Sequence, residues 1–157
     1  MRILVASIGR NRDSDIRRAT EVYEARLRHY VRFESLVVPP ARLPDTRAEE
    51  AREREAAALE RHLPDELELV ALTRHGKPWS TPALAEHLDE MRTYGRPGVA
   101  FAIGGAHGLA PRLLARAQTR LALSAMTLPH ELARLVLTEQ LYRAATILRG
   151  ESYHKGT

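Results

Sequence analysis

Five short apolar runs, separated by segments of helical periodicity, constrain this chain more than any other feature. The runs are Arg2–Ile8 and residues 33–38, 67–73, 99–103 and 120–124. The fourth, Val99-Ala100-Phe101-Ala102-Ile103, contains no polar residue, as expected of a strand covered on both faces. Between the first two runs, Asp13 or Ser14 can cap a helix that places Ile16, Ala19, Val22, Tyr23, Leu27 and Tyr30 on one stripe. Thr46 followed three residues on by Glu49 predicts a capping box, opening a strongly charged, solvated helix that runs to Arg61. Ser80-Thr81-Pro82 opens a third helix carrying Leu84, Leu88 and Met91, Pro111 a fourth, and an apolar helix over 131–148 closes the series. Strands alternating with helices predict an α/β fold with a mostly parallel sheet and helices on both faces. A chain of 157 residues suits one domain spanning 1–157.

Composition removes several classes of chemistry. The absence of cysteine excludes a disulfide framework, a thiol nucleophile and cysteine-ligated metal. No histidine falls in an H-E-x-x-H pattern, so no metal site is expected. No apolar run approaches the roughly 18 residues of a membrane span, and the one at the N-terminus is too short for a signal peptide, so the expected address is the cytoplasm. The net charge of +4 is unevenly spread: +3 over residues 1–40, −4 over 41–70 and +5 over 71–157. The basic flanks suit an anionic partner, with the acidic middle turned away.

In a parallel α/β sheet, ligands bind beyond the carboxyl ends of the strands, here in loops 74–79, 104–108 and 124–130. Gly104-Gly105-x-x-Gly108 follows a buried strand, where glycine permits either a tight turn or close approach of a ligand to the backbone. It lacks the G-x-G-x-x-G spacing and the downstream acid of a dinucleotide fingerprint. The run Leu123-Ser124-Ala125-Met126-Thr127-Leu128-Pro129-His130 is small and apolar, suited either to walling a cofactor or to joining a strand to a helix. Arg112, Arg116 and Arg120 recur every four residues, as a phosphate track or a solvated face would. The final helix is apolar nearly all round, so it is either central or shared with a second copy. Beyond it, Tyr153-His154-Lys155 gathers a phenol, an imidazole and an ammonium. No Walker loop or G-x-S-x-G elbow is present.

Together, Gly104-Gly105-x-x-Gly108, the 123–130 run, Glu139-Gln140-Leu141-Tyr142-Arg143-Ala144, Gly76-Lys77-Pro78-Trp79 and the Tyr153-His154-Lys155 tail resemble the ribosomal RNA large subunit methyltransferase H family of SPOUT-class enzymes. The resemblance covers the whole chain. It implies a SPOUT-type α/β knot, with a trefoil knot in the C-terminal half. It also implies transfer of a methyl group from S-adenosyl-L-methionine to N3 of a pseudouridine in 23S rRNA on the assembled 70S ribosome, by a homodimer. The family's cofactor positions fall on Leu72, Gly104, Gly105, Leu123, Ser124, Ala125, Met126, Thr127 and Leu128. The pseudouridine N3 carries a proton, so its methylation needs a base. The tail implies Tyr153, His154 and Lys155 as catalytic residues: His154 as base, Tyr153 as stacking or hydrogen-bonding partner, Lys155 as cation. Arg134 and Arg143 are secondary candidates for the cofactor carboxylate, for RNA or for structural ion pairs. His107 in the glycine loop and the terminal Gly156-Thr157 depart from the family pattern. The competing readings are a SPOUT methyltransferase for another RNA, such as tRNA, and a non-catalytic ribosome-binding assembly factor.

Overall fold

The computed structural model describes the backbone of residues 1–154 and the side chains through Tyr153. Five strands, β1 (Arg2–Ile8), β2 (Arg32–Val38), β3 (Glu68–Pro78), β4 (Gly98–Ile103) and β5 (Thr119–Ala122), form one sheet in the order β2-β1-β4-β3-β5. Every strand pairing is parallel, so the α/β class with a parallel sheet is as expected. Helices α1 (Ser14–Leu27), α3 (Thr81–Thr93) and α5 (His130–Leu148) cover one face; α2 (Ala48–Glu60) and α4 (Pro111–Arg116) cover the other.

Strand alternation explains the two cores. Ile3, Val5, Val99, Phe101 and Ile103 project to one side and pack with Leu27, Leu84, Leu88, Leu137 and Leu141. Leu4, Ala6, Ile8, Ala100 and Ala102 project to the other and pack with Ala56, Leu59 and Leu113. Each large apolar side chain so buried contributes about 1.5–3 kcal/mol, which is why the central strands carry almost no polar residues. The α2 side is lined by alanines, and these let a helix of modest apolarity sit close to the sheet.

Local chemistry sets the helix ends. The Asp13 carboxylate accepts the amides of Asp15 and Ile16 at the start of α1, and those two bonds hold its pKa below the ordinary range. The Ser80 hydroxyl accepts the Ala83 amide at the start of α3. The Thr46–Glu49 capping box does not form. A 3-10 turn over Asp45–Arg47 instead leads into α2, with the Arg47 amide donating to the Pro44 carbonyl at 2.8 Å. The chain arrives already wound, so its first amides find carbonyls without a side-chain cap. Nor is α2 merely a solvated flank, because its own Ala51, Glu55, Ala56 and Leu59 are buried.

β3 runs five residues past the expected end at Thr73. It pairs with β5 at Leu72↔Leu121, leaves the ladder for four residues, and rejoins it at Lys77↔Leu121 and Pro78↔Ala122. Gly76 makes the return possible: a Cβ there would lie 2.6 Å from the Leu121 carbonyl carbon. This excursion carries Thr73, Arg74 and His75 over the end of the sheet.

Candidate active site

A cavity of about 510 Å³ opens at the carboxyl ends of β3, β4 and β5, a size suited to a small-molecule cofactor. Leu72, Ile103, Leu121, Leu123 and Leu128 give it apolar walls, and loop 104–109 closes one side. The β3 excursion closes another. Eight of the nine cofactor positions expected from sequence line it: Leu72, Gly104, Gly105, Leu123, Ser124, Met126, Thr127 and Leu128. Ala125 lies in the same loop without forming part of the wall. The Ser124 hydroxyl accepts the Met126 amide at 2.9 Å and so fixes the turn, while Met126 itself is 77% exposed.

The glycine loop has a structural reason for its composition. The Gly108 amide donates to the Gly105 carbonyl at 3.0 Å, folding the loop back so that a Cβ on Gly104 would lie 2.5 Å from the Gly108 carbonyl carbon. A Cβ on Gly105 would press on Ile8 and the Glu55 carboxylate. These glycines therefore let the loop pack on itself and on α2, and its outer surface is left facing the cavity.

Beneath the loop, Glu55 is 6% exposed. One of its oxygens accepts the Ala41 amide at 2.9 Å; the other has no hydrogen-bond partner among the described residues. Burial raises its pKa above the ordinary range, while the Ala41 hydrogen bond, His107 and His130 oppose the rise.

Sequence analysis assigned no site role to five polar residues that line the cavity: Arg52, which lies outside the expected ligand loops, and Arg74, His75, His107 and His130, which lie within them. They come from α2, the β3 excursion, the glycine loop and the start of α5, and no linear spacing links them. Two histidines have identifiable anchors. His130 lies against the end of β1, where a Cβ on Gly9 would be 2.9 Å from its Nε2; His107 Nε2 lies 3.5 Å from the exposed Asp45 carboxylate. Among the described residues no group of three or more histidine or acidic side chains could hold a metal ion.

The tail follows a different course. From α5 the chain folds back so that the Tyr153 ring meets Tyr142 edge-on at 4.7 Å. Its hydroxyl lies 3.2 Å from Glu139 Oε1 and 3.3 Å from the Tyr23 hydroxyl. The Tyr30 hydroxyl donates to Glu151 at 2.6 Å, a second tether, and that bond helps push the Tyr30 pKa up to about 12. Burial and the neighbouring Tyr23 and Glu139 push the Tyr153 phenol well above its ordinary pKa, so it remains a hydrogen-bond donor at neutral pH. Tyr153 is not among the residues that line the cavity, and Glu139 lies six residues along α5 from Ala133, a lining residue on that helix, about 9 Å at 1.5 Å per residue. Within one chain the structure therefore does not bring Tyr153 to the cavity. The His154 side chain and Lys155 lie outside the described residues.

The arginine candidates resolve into ion pairs. Arg134 donates to Glu24 at 2.8 Å and to the Ser35 hydroxyl at 2.7 Å, and Arg143 donates to Glu139 at 2.7 Å. Arg112 joins Glu53 and Glu60, and Arg116 reaches Asp65. The four-residue arginine spacing thus serves mainly to fasten α4 to the acidic segment around α2.

The sequence model of the family described as "Predicted SPOUT methyltransferase" matches residues 1–154. The chain belongs to this SPOUT methyltransferase family. It is an enzyme that transfers methyl groups, and its family implies a methyl-donor cofactor. This SPOUT methyltransferase is 48% identical over 155 residues to the ribosomal RNA large subunit methyltransferase H of Anaeromyxobacter sp. (strain Fw109-5), covering 99% of this chain and 100% of that one. It is 44% identical over 155 residues to the protein of that name from Gemmatimonas aurantiaca, and 38% over 159 residues to the one from Bacillus cytotoxicus, each at 99% and 100% coverage.

Proposed function

We propose that this protein uses S-adenosyl-L-methionine to methylate N3 of a pseudouridine in 23S rRNA on the assembled 70S ribosome. The observation that carries the reading is the cavity at the ends of β3, β4 and β5, walled by the residues that the resemblance assigns to the cofactor. Full-length identity to proteins named for large-subunit rRNA methylation supports the substrate class.

The cavity's chemistry fits the cofactor. Leu72, Ile103 and Leu121 offer surfaces for an adenine ring, and the turn around Ser124 offers backbone polar groups for its edge. The bound cofactor supplies an electrophilic methyl group on a sulfonium. Apolar walls exclude the water that would otherwise solvate that cation. Removal of the N3 proton is assigned to His154, with the Tyr153 phenol as hydrogen-bond donor and Lys155 holding a phosphate or a developing oxyanion.

Tyr153 lies apart from the cavity within one chain, so the complete site is proposed to form in a homodimer, where one copy's tail serves its partner's cavity. Leu132, Leu135 and Val136 support this. They are only partly covered, and they lie on the side of α5 away from its buried Leu137 and Leu141. The single domain over 1–157, the C-terminal trefoil knot and a cytoplasmic site of action belong to the same reading. Among the described residues no helix is long and apolar enough to cross a membrane.

Mass spectrometry of ribosomal RNA after incubation with S-adenosyl-L-methionine tests the proposal. A mass gain of one methyl group in place of one proton is expected on one pseudouridine in 70S ribosomes and not in free 50S subunits. Methylation of tRNA instead, or cofactor binding with no transfer to any RNA, would replace this reading with one of the two alternatives.

A further inference from the structure

The candidates for the cofactor carboxylate named above, Arg134 and Arg143, are already neutralised by Glu24 and Glu139. Arg52 is not. It reaches the cavity from α2 and is partly buried. Its Nε is shielded from solvent and has no hydrogen-bond partner, and no carboxylate lies within 4 Å of its guanidinium among the described residues.

Several carboxylates of this acidic helix are taken up elsewhere, and neither Glu49 nor the free Glu55 oxygen lies within 4 Å of the Arg52 guanidinium. Glu50 holds Arg47 and Arg54, Glu53 holds Arg112, and Glu55 takes the Ala41 amide. Arg74, the other arginine of the cavity, stands exposed and donates through Nε to His75 at 3.1 Å. Arg74 thus marks the mouth, within reach of large partners, while Arg52 offers an unpaired guanidinium to whatever fills the interior. A planar fork of donors in a partly dehydrated site favours a carboxylate.

We propose that Arg52 binds the α-carboxylate at the amino-acid end of the methyl donor. This rests on the reading that S-adenosyl-L-methionine occupies this cavity. It separates two functions within one pocket, with the apolar leucines taking the adenosine and Arg52 recognising the amino acid. The buried Nε gains a partner, and the guanidinium a counter-charge, when the carboxylate is bound, so affinity depends on that carboxylate being intact.

Isothermal titration calorimetry on the full chain tests it with three probes: S-adenosylhomocysteine, decarboxylated S-adenosylmethionine, and 5′-methylthioadenosine, which lacks the amino acid altogether. Arg52→Gln should weaken S-adenosylhomocysteine about 10- to 100-fold, the range of a charge-assisted hydrogen bond. The two probes without a carboxylate should bind the variant within about twofold of the unmodified protein, which also reports that the pocket still folds. Arg52→Lys should recover part of the loss, because it keeps the charge without the fork. Equal weakening of all three probes, or undiminished binding of S-adenosylhomocysteine, overturns the assignment. If the unmodified protein binds neither S-adenosylhomocysteine nor 5′-methylthioadenosine, the cofactor reading itself fails, and this assignment fails with it.

Discussion

Arg134→Met separates a structural arginine from a ligand-binding one. The Arg134 and Glu24 side chains are only 12% and 7% exposed, and the pair ties α5 to α1, with Ser35 on β2 as a third partner. Breaking a buried pair by removing one member typically costs about 3–5 kcal/mol, mainly because the other charge stays buried. Glu24 keeps a second contact, Arg28 at 3.3 Å, but the Arg28 side chain is half exposed and neutralises it weakly. The low end, about 3 kcal/mol, is therefore expected. For a chain of this size that corresponds to a fall in Tm of about 6–12 °C. Thermal denaturation at fixed protomer concentration measures it, and Glu24→Gln in the same chain should restore most of the loss by removing the stranded charge. An Arg134→Met protein with unchanged Tm but lost cofactor or RNA binding would refute the structural assignment.

Three further perturbations probe other parts of the site. Gly104→Ala must open the glycine loop, since its methyl would lie 2.5 Å from Gly108; overpacking of about 1–3 kcal/mol should lower cofactor affinity by about 5- to 150-fold in a binding titration. Burial raises the folded-state pKa of Glu55, so its protonated form favours folding below the ordinary 4.5 and that contribution is lost as pH rises through the higher folded value. Glu55→Gln, whose amide oxygen can still accept the Ala41 amide, should flatten the pH dependence of Tm above 4.5 and leave the protein no less stable at pH 7; a steeper profile would count against it. Arg112→Ala should cost less than about 1 kcal/mol, because its partners are solvent-screened, and should leave RNA binding intact; a marked loss of RNA affinity would return the arginine row to the interface.

Much of the fold was legible because its signals are local. Apolar runs of strand length, with a capping Asp13 and Ser80, mark their own elements regardless of what packs on them. Failures occurred where a neighbour supplied what local chemistry lacked. The 3-10 turn at Asp45–Arg47 replaced the Thr46 cap, and β5 drew β3 out to Pro78 through backbone pairing that leaves no side-chain pattern. In the site, the apolar loop residues and the loops that carry the three cavity histidines could be marked in advance, whereas the part those histidines play there, and Arg52 altogether, could not. Each is an ordinary surface residue type, and only convergence in space makes it part of a cavity.

Sequence alone determined the parallel α/β class, the strand ends at which a ligand could bind, and the resemblance that named a methyltransferase family. The tertiary structure decided which charges are spent and which are free. Arg112, Arg116, Arg134 and Arg143 are indistinguishable from Arg52 as letters, yet four of them meet carboxylates and one faces an open cavity. The reason is physical: an ion pair depends on distance and burial, and both are set by how helices pack rather than by the order of residues along them.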